Sequence, residues 1–237
     1  MRNWIIGAAA MLAVAVPGVA TAQTGYVGAS YGNIDVSGAG DADFYGVEGA
    51  VAFAGSGSIV FELNAGLVDS DDFDQAYGLT GHVYSRSDAG LFGAFVGITD
   101  SDVVDETWTV GLEASKFYTN WTLAGALFYS DNDGGEAWGV NVQPRVFIHD
   151  NFRLQANLGW ADYDGGGDAT RFGLGGEYQF ASAPISIGAG WSTIDSNGPD
   201  VDTLSIGLRY NFGGTTLRDR DRSGASQADI TGTGFLF

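Results

Sequence analysis

The stretch Leu204-Ser205-Ile206-Gly207-Leu208-Arg209-Tyr210-Asn211-Phe212 puts every apolar residue at an even position and every small or polar one at an odd position. Side chains of a β-strand alternate between two faces, so one face of this segment suits hydrocarbon and the other suits water. The same alternation appears upstream. Trp138, Val140, Val142, Val146 and Ile148 oppose Gly139, Asn141, Gln143 and Arg145, and Phe152, Leu154, Ala156, Leu158 and Trp160 oppose Arg153, Gln155, Asn157 and Gly159. A soluble sandwich alternates too, so the period alone leaves that alternative open.

Working outward, clusters of Asp, Gly, Ser and Asn recur near Gly38, Asp71, Asp102, Asp133, Gly166 and Asn197, at a period of about 32 residues. Shorter breaks fall between them, near Ser56, Ser87, Asn120, Asp150 and Ala183. Each interval reads as strand, short turn, strand, longer loop. Twelve strands result, over 24 to 35, 43 to 53, 58 to 68, 75 to 85, 90 to 99, 107 to 118, 120 to 130, 137 to 148, 151 to 162, 170 to 180, 185 to 194 and 202 to 212. These lengths match the roughly 9 to 11 residues of a tilted membrane strand. Trp108, Trp121, Trp138, Trp160, Trp191, Tyr118 and Phe212 fall near strand ends, as interfacial girdles do. The fold class expected is all-β: a transmembrane, antiparallel up-and-down β-barrel of about 12 strands.

The amino terminus carries Arg2, an apolar run from Ile5 to Val16, a break at Pro17-Gly18 and small residues at Ala20-Thr21-Ala22. That is the layout of a secretory signal, residues 1–22, cleaved before Gln23, and the run is too short for a spanning helix. The barrel would occupy 23–212 and lie in the bacterial outer membrane. Cysteine is absent, so no disulfide or thiolate chemistry is available. A formal charge of -19 at pH 7 opposes nucleic acid as a partner.

By its signal, its alternating hairpins and the closing segment Leu204, Ile206, Leu208, Tyr210, Phe212, the chain resembles small Gram-negative porin-type outer-membrane proteins. The resemblance implies outer-membrane lipid and the barrel-insertion machinery as partners, the latter reading a last strand that finishes in Phe. Here that pattern is internal. The chain continues through Gly213-Gly214 and Arg218-Asp219-Arg220-Asp221-Arg222 to Phe237, and positions two apart behind Phe235 are Thr233, Thr231 and Asp229, a poor membrane face. Phe212 therefore closes the barrel, and 213–237 is expected to be a flexible periplasmic tail, a lumen plug or an extra strand being the other readings.

Parity assigns Glu48, Glu62, Glu113, Arg145, Arg153, Arg171, Glu177 and Arg209 to the lumen. Acids would line one wall and mostly bases the other, a transverse field able to screen solutes by charge. Buried ion pairs bracing the wall are the alternative, and Glu177 and Arg209 should reach each other. Loop carboxylates such as Asp69, Asp71, Asp72, Asp74, Asp100, Asp102, Asp105, Glu106, Asp131, Asp133, Asp195, Asp200 and Asp202 make one rim strongly negative. No loop has calcium-hand spacing, and no metal site or cofactor is expected.

The function expected is passive diffusion of small polar solutes or ions through the barrel. The alternative is a non-conducting structural or adhesive barrel acting through its acidic loops or its tail. A homo-oligomer stays open, without a sequence signal for one. Catalysis is not expected. The two histidines, His82 and His149, map near the short-turn rim, away from the acidic loops, and catalytic residues are none.

Overall fold

In the computed structural model, residues 24–70, 75–101, 106–227 and 230 are described, and the secretory-signal expectation lies outside them. Twelve strands follow in chain order: β1 (Thr24–Val36), β2 (Gly40–Ala54), β3 (Ile59–Ser70), β4 (Ala76–Ser87), β5 (Gly90–Ser101), β6 (Thr107–Phe117), β7 (Trp121–Asn132), β8 (Gly135–His149), β9 (Phe152–Tyr163), β10 (Asp168–Gln179), β11 (Ile185–Ser196) and β12 (Val201–Phe212). Each pairs antiparallel with its chain neighbours, and β12 pairs with β1, so the sheet closes into a barrel with no free edge. Phe212 is the closing residue, opposite Gly25.

Closure explains why the alternation survives with so little core. Odd positions of β12, including Ser205, Arg209 and Asn211, are buried inside, while Leu204, Ile206, Leu208 and Tyr210 are 53 to 60 % exposed on the outside. Leu112, Leu127, Val146, Ile148, Leu154, Leu158, Leu174 and Ile187 continue that outer belt around the wall. An apolar surface this continuous is stable only against hydrocarbon. The belt makes the strands the spanning elements, and no helix among the described residues is long and apolar enough to cross a membrane.

Aromatic pairs mark the two margins of the belt. Trp138 packs edge-on to Trp160 at 4.9 Å and Tyr31 lies 5.3 Å from Tyr45 toward one rim. Tyr118 stacks on Trp121 at 3.9 Å at the other. Cross-strand aromatic pairs stabilise the sheet where the chain leaves hydrocarbon for the polar interface.

Two expectations change. The acidic loops are shorter than the sequence suggests: connections span two to five residues at both rims. Asp69, Asp100, Asp131, Asp195 and Asp202 belong to strand ends rather than loops, because pairing continues through them on the outer face. Asp71, Asp72, Asp74, Asp102 and Asp105 lie outside the described residues.

The larger correction concerns the tail. Residues 213–227 and 230 are not a flexible periplasmic extension but fold back into the lumen from the rim that carries the β8–β9 turn, hereafter the turn rim. Gly213, at φ +76, makes the reversal from wall to interior in a conformation that glycine adopts freely. Helix α1 (Leu217–Ser223) follows, with the Thr216 side chain accepting from the Asp219 amide at its start and Gly224 at its end. Leu217, Ala225 and Ile230 are buried, against Tyr26, Ala50 and Ala52 for Ala225 and against Phe95, Ala124 and Ala126 for Ile230. The physical reason is that the wall here offers small apolar side chains and unpaired charges, which the tail covers and pairs.

Candidate functional site

All eight residues assigned to the lumen by parity point there. Seven are engaged with partners. Arg209 reaches across Gly28 of β1 to Glu48 on β2 at 2.7 Å, a pair that forms only because the last strand closes on the first. A Cβ added at Gly28 would lie 2.9 Å from Arg209 Cγ and 3.4 Å from Glu48 Oε1, so glycine keeps this bridge open. Glu177 accepts from Arg153, its register partner on β9, at 2.8 Å, and lies 3.4 Å from Arg209. Glu113 is paired with His82 at 3.0 Å, and His82 also meets Asn64 at 3.1 Å.

The remaining partners come from the tail. Arg220 of α1 donates to Glu177 at 2.6 Å and to Asn211. Asp221 accepts from Arg145 at 2.7 Å and from Thr122 at 2.6 Å. Glu62 accepts from the backbone amides of Ser226 and Gln227 at 3.2 and 3.0 Å, from Tyr84 at 2.9 Å and from Asn64 at 3.2 Å. Ser226 is thus held on one side by Glu62 of β3, and on the other its carbonyl accepts from Arg145 of β8 at 3.0 Å. Those strands stand five apart in a ring of twelve, nearly opposite. One residue of the tail bridges the bore.

Further contacts anchor the segment to the turn rim. Arg218 pairs with Asp150 at 2.7 Å, Arg222 donates to the carbonyls of Tyr118 and Thr119, and Arg86 donates to the Gly224 carbonyl at 2.7 Å. At its deepest described point, the Ile230 carbonyl accepts from Asn141, near mid-height of β8, at 3.0 Å.

The acid-wall and base-wall arrangement expected from sequence therefore ends in local pairs, because closure leaves only β1 between β2 and β12 and the tail supplies an acid to Arg145 and a base to Glu177. Sequence reading missed Arg86, His82, Arg220 and Asp221 as members of this network. A signal existed for the tail: Thr216 with Asp219 three residues on, Leu217 and a following Gly224 outline a capped helical turn. His149 is exposed at the turn rim.

Arg171 differs. It shows no hydrogen bond or ion pair to the other described residues, and its buried Nε has no partner. It lines a cavity of about 230 Å³ with Thr109, Phe128, Ser130, Asn141 and Tyr163, in the half of the lumen beyond the described part of the tail.

No protein-family model matches the chain, and no curated protein sequence matches it. Solved structures do. The NanC porin superposes with a TM-score of 0.60 at 10 % identity, over 78 % of this chain and 98 % of that one. The KdgM porin in complex with disordered oligogalacturonate gives 0.57 at 6 % identity, over 79 % and 99 %. An outer-membrane channel from Pseudomonas putida F1 gives 0.54 at 15 % identity, over 84 % and 97 %. At these identities the likeness is one of fold: the chain has the architecture of a porin-type outer-membrane β-barrel.

Proposed function

We propose that the chain is an outer-membrane channel for small polar solutes or ions, shut in this conformation by its own C-terminal segment. The observation that carries the reading is what fills the bore. In the half nearest the turn rim the wall contributes small side chains such as Gly28, Ala50, Ala52, Ala124 and Gly188, and the space between them is taken by residues 217–227 and 230. A barrel that served only as a rigid post would close its bore with its own wall side chains, as eight-stranded barrels do. A bore filled by a separate segment becomes a path once that segment leaves. In this reading the leader is removed before Gln23, the turn rim faces the periplasm and the acidic rim faces outward, the usual placement of turns and loops in such barrels.

The alternative, a non-conducting structural barrel, draws on the same plug, since buried ion pairs hold it on several sides. Planar-bilayer recordings separate the two. The full chain should show rare or small openings, and a chain ending at Gly213 steady openings of at least several-fold larger mean current. Heat-modifiable electrophoretic mobility reports whether each protein is folded. A folded truncation that never opens would leave only the structural reading.

A further inference from the structure

Charge is partitioned along the barrel axis. Of ten Lys and Arg, Arg2 lies in the leader segment, and Arg86, Lys116, Arg145, Arg153, Arg209, Arg218, Arg220 and Arg222 all lie toward the turn rim. Arg171 alone sits in the other half. Among the described lumen-facing residues of that half it is also the single charge: its neighbours there are Gly, Ala, Ser, Thr, Asn, Val, Ile, Phe and Tyr.

Carboxylates are abundant at this rim but on the wrong side of the wall. Asp162, Asp168 and Asp195 are on β9, β10 and β11 at the outward parity, so the sheet separates them from Arg171. Inside, Arg171 stands opposite Gly159 and Ile194, neither of which can pair with it. The glycine makes room: a Cβ there would lie 2.5 Å from Asn141 Oδ1 and 3.2 Å from Arg171 Cβ. Hydroxyls complete the lining, with Thr109 and Ser130 2.8 Å apart. Arg171 is half-buried with its Nε enclosed, and a guanidinium held there with no counter-charge is costly unless something supplies one. Its five fixed donors fit the two oxygens of an oxyanion.

We propose that Arg171 and the surrounding hydroxyl and amide groups form a binding site for an oxyanion, a carboxylate or phosphate group on a small polar solute entering from the acidic rim. The site deepens the channel reading, because it lies where a solute entering from the acidic rim would pass before meeting residues 217–227 and 230. Its occupation needs only access from that rim, so it stands or falls separately from conduction.

Calorimetric titration of the full folded chain in neutral detergent tests it, with sodium gluconate, inorganic phosphate and glucose as probes. Gluconate or phosphate should bind saturably and glucose should not, and whichever of the two anions binds more tightly identifies the group. Arg171→Gln should weaken anion binding about tenfold or more, as loss of a bidentate charged donor requires. Arg171→Lys should retain part of it. Unchanged anion binding by Arg171→Gln, or no saturable binding of either anion to the native chain, overturns the proposal. Intact anion binding in a protein whose truncated form never conducts would sink the channel and leave the site.

Discussion

Buried charges decide how firmly the tail sits. Arg145 and Asp221 are both almost fully enclosed, so removing one strands the other. Breaking such a pair costs roughly 3 to 5 kcal/mol, whereas replacing both members with apolar groups is often close to neutral. Asp221→Ala should therefore release the tail, and limited trypsin digestion should cut at Arg220, which is 5 % exposed in the seated form. The double change Arg145→Met with Asp221→Leu should restore most of the protection. Equal protection of the native chain and Asp221→Ala would mean that this pair does not hold the segment. Parity in the sequence located Arg145 in the lumen, because alternation needs only its own strand. It could not supply Asp221, which reaches Arg145 across 76 residues of chain from a run, Arg218 to Arg222, whose alternating charges read as self-neutralising.

The strands were legible almost entirely, since each carries its own two-residue period and its own bounding turn residues. Their ends were less so. Asp and Gly report turn chemistry, yet in a tall barrel the ladder runs on through such residues once the neighbouring strand is registered. That extension sets carboxylates directly opposite one another on the outer face. Asp35 faces Asp41 on one side and Asp202 on the other, Asp131 faces Glu136, and Asp162 faces Asp168. Like charges directly opposed in a sheet are each unfavourable by about 0.2 to 1 kcal/mol. Asp35→Asn, which relieves two such pairings, should raise the thermal midpoint of the folded barrel in detergent. Added salt should raise the native midpoint and have a smaller effect on the variant, because exposed charges are screened. A variant that melts below the native protein at low salt would show that these carboxylates do not repel in the folded state.

At the scale of the whole molecule, net charge and its arrangement are different facts. The composition announces -19, but not that the rim opposite the turn rim takes most of the acids while the turn-rim half collects nearly all the bases. That axial separation follows from closure and from the tail, which brings Arg218, Arg220 and Arg222 to the turn rim. It also fixes how the plug should behave when cut free. Covalent attachment holds the segment at an effective concentration of order mM beside its seat. A synthetic peptide of residues 213–237 should therefore block the barrel that ends at Gly213 only at concentrations approaching that range. It should do so from the turn-rim side, where Asp150 and the Tyr118 and Thr119 carbonyls receive the arginines of α1. From the acidic rim it would have to cross the lumen before reaching those turn-rim partners, and should not block. A peptide with Arg220→Ala and Asp221→Ala should lose the block, since it leaves Glu177 short of one partner and Arg145 without its acid. Block by that peptide at the native dose would show that bulk alone obstructs the bore, and the paired charges would then have no part in closing it.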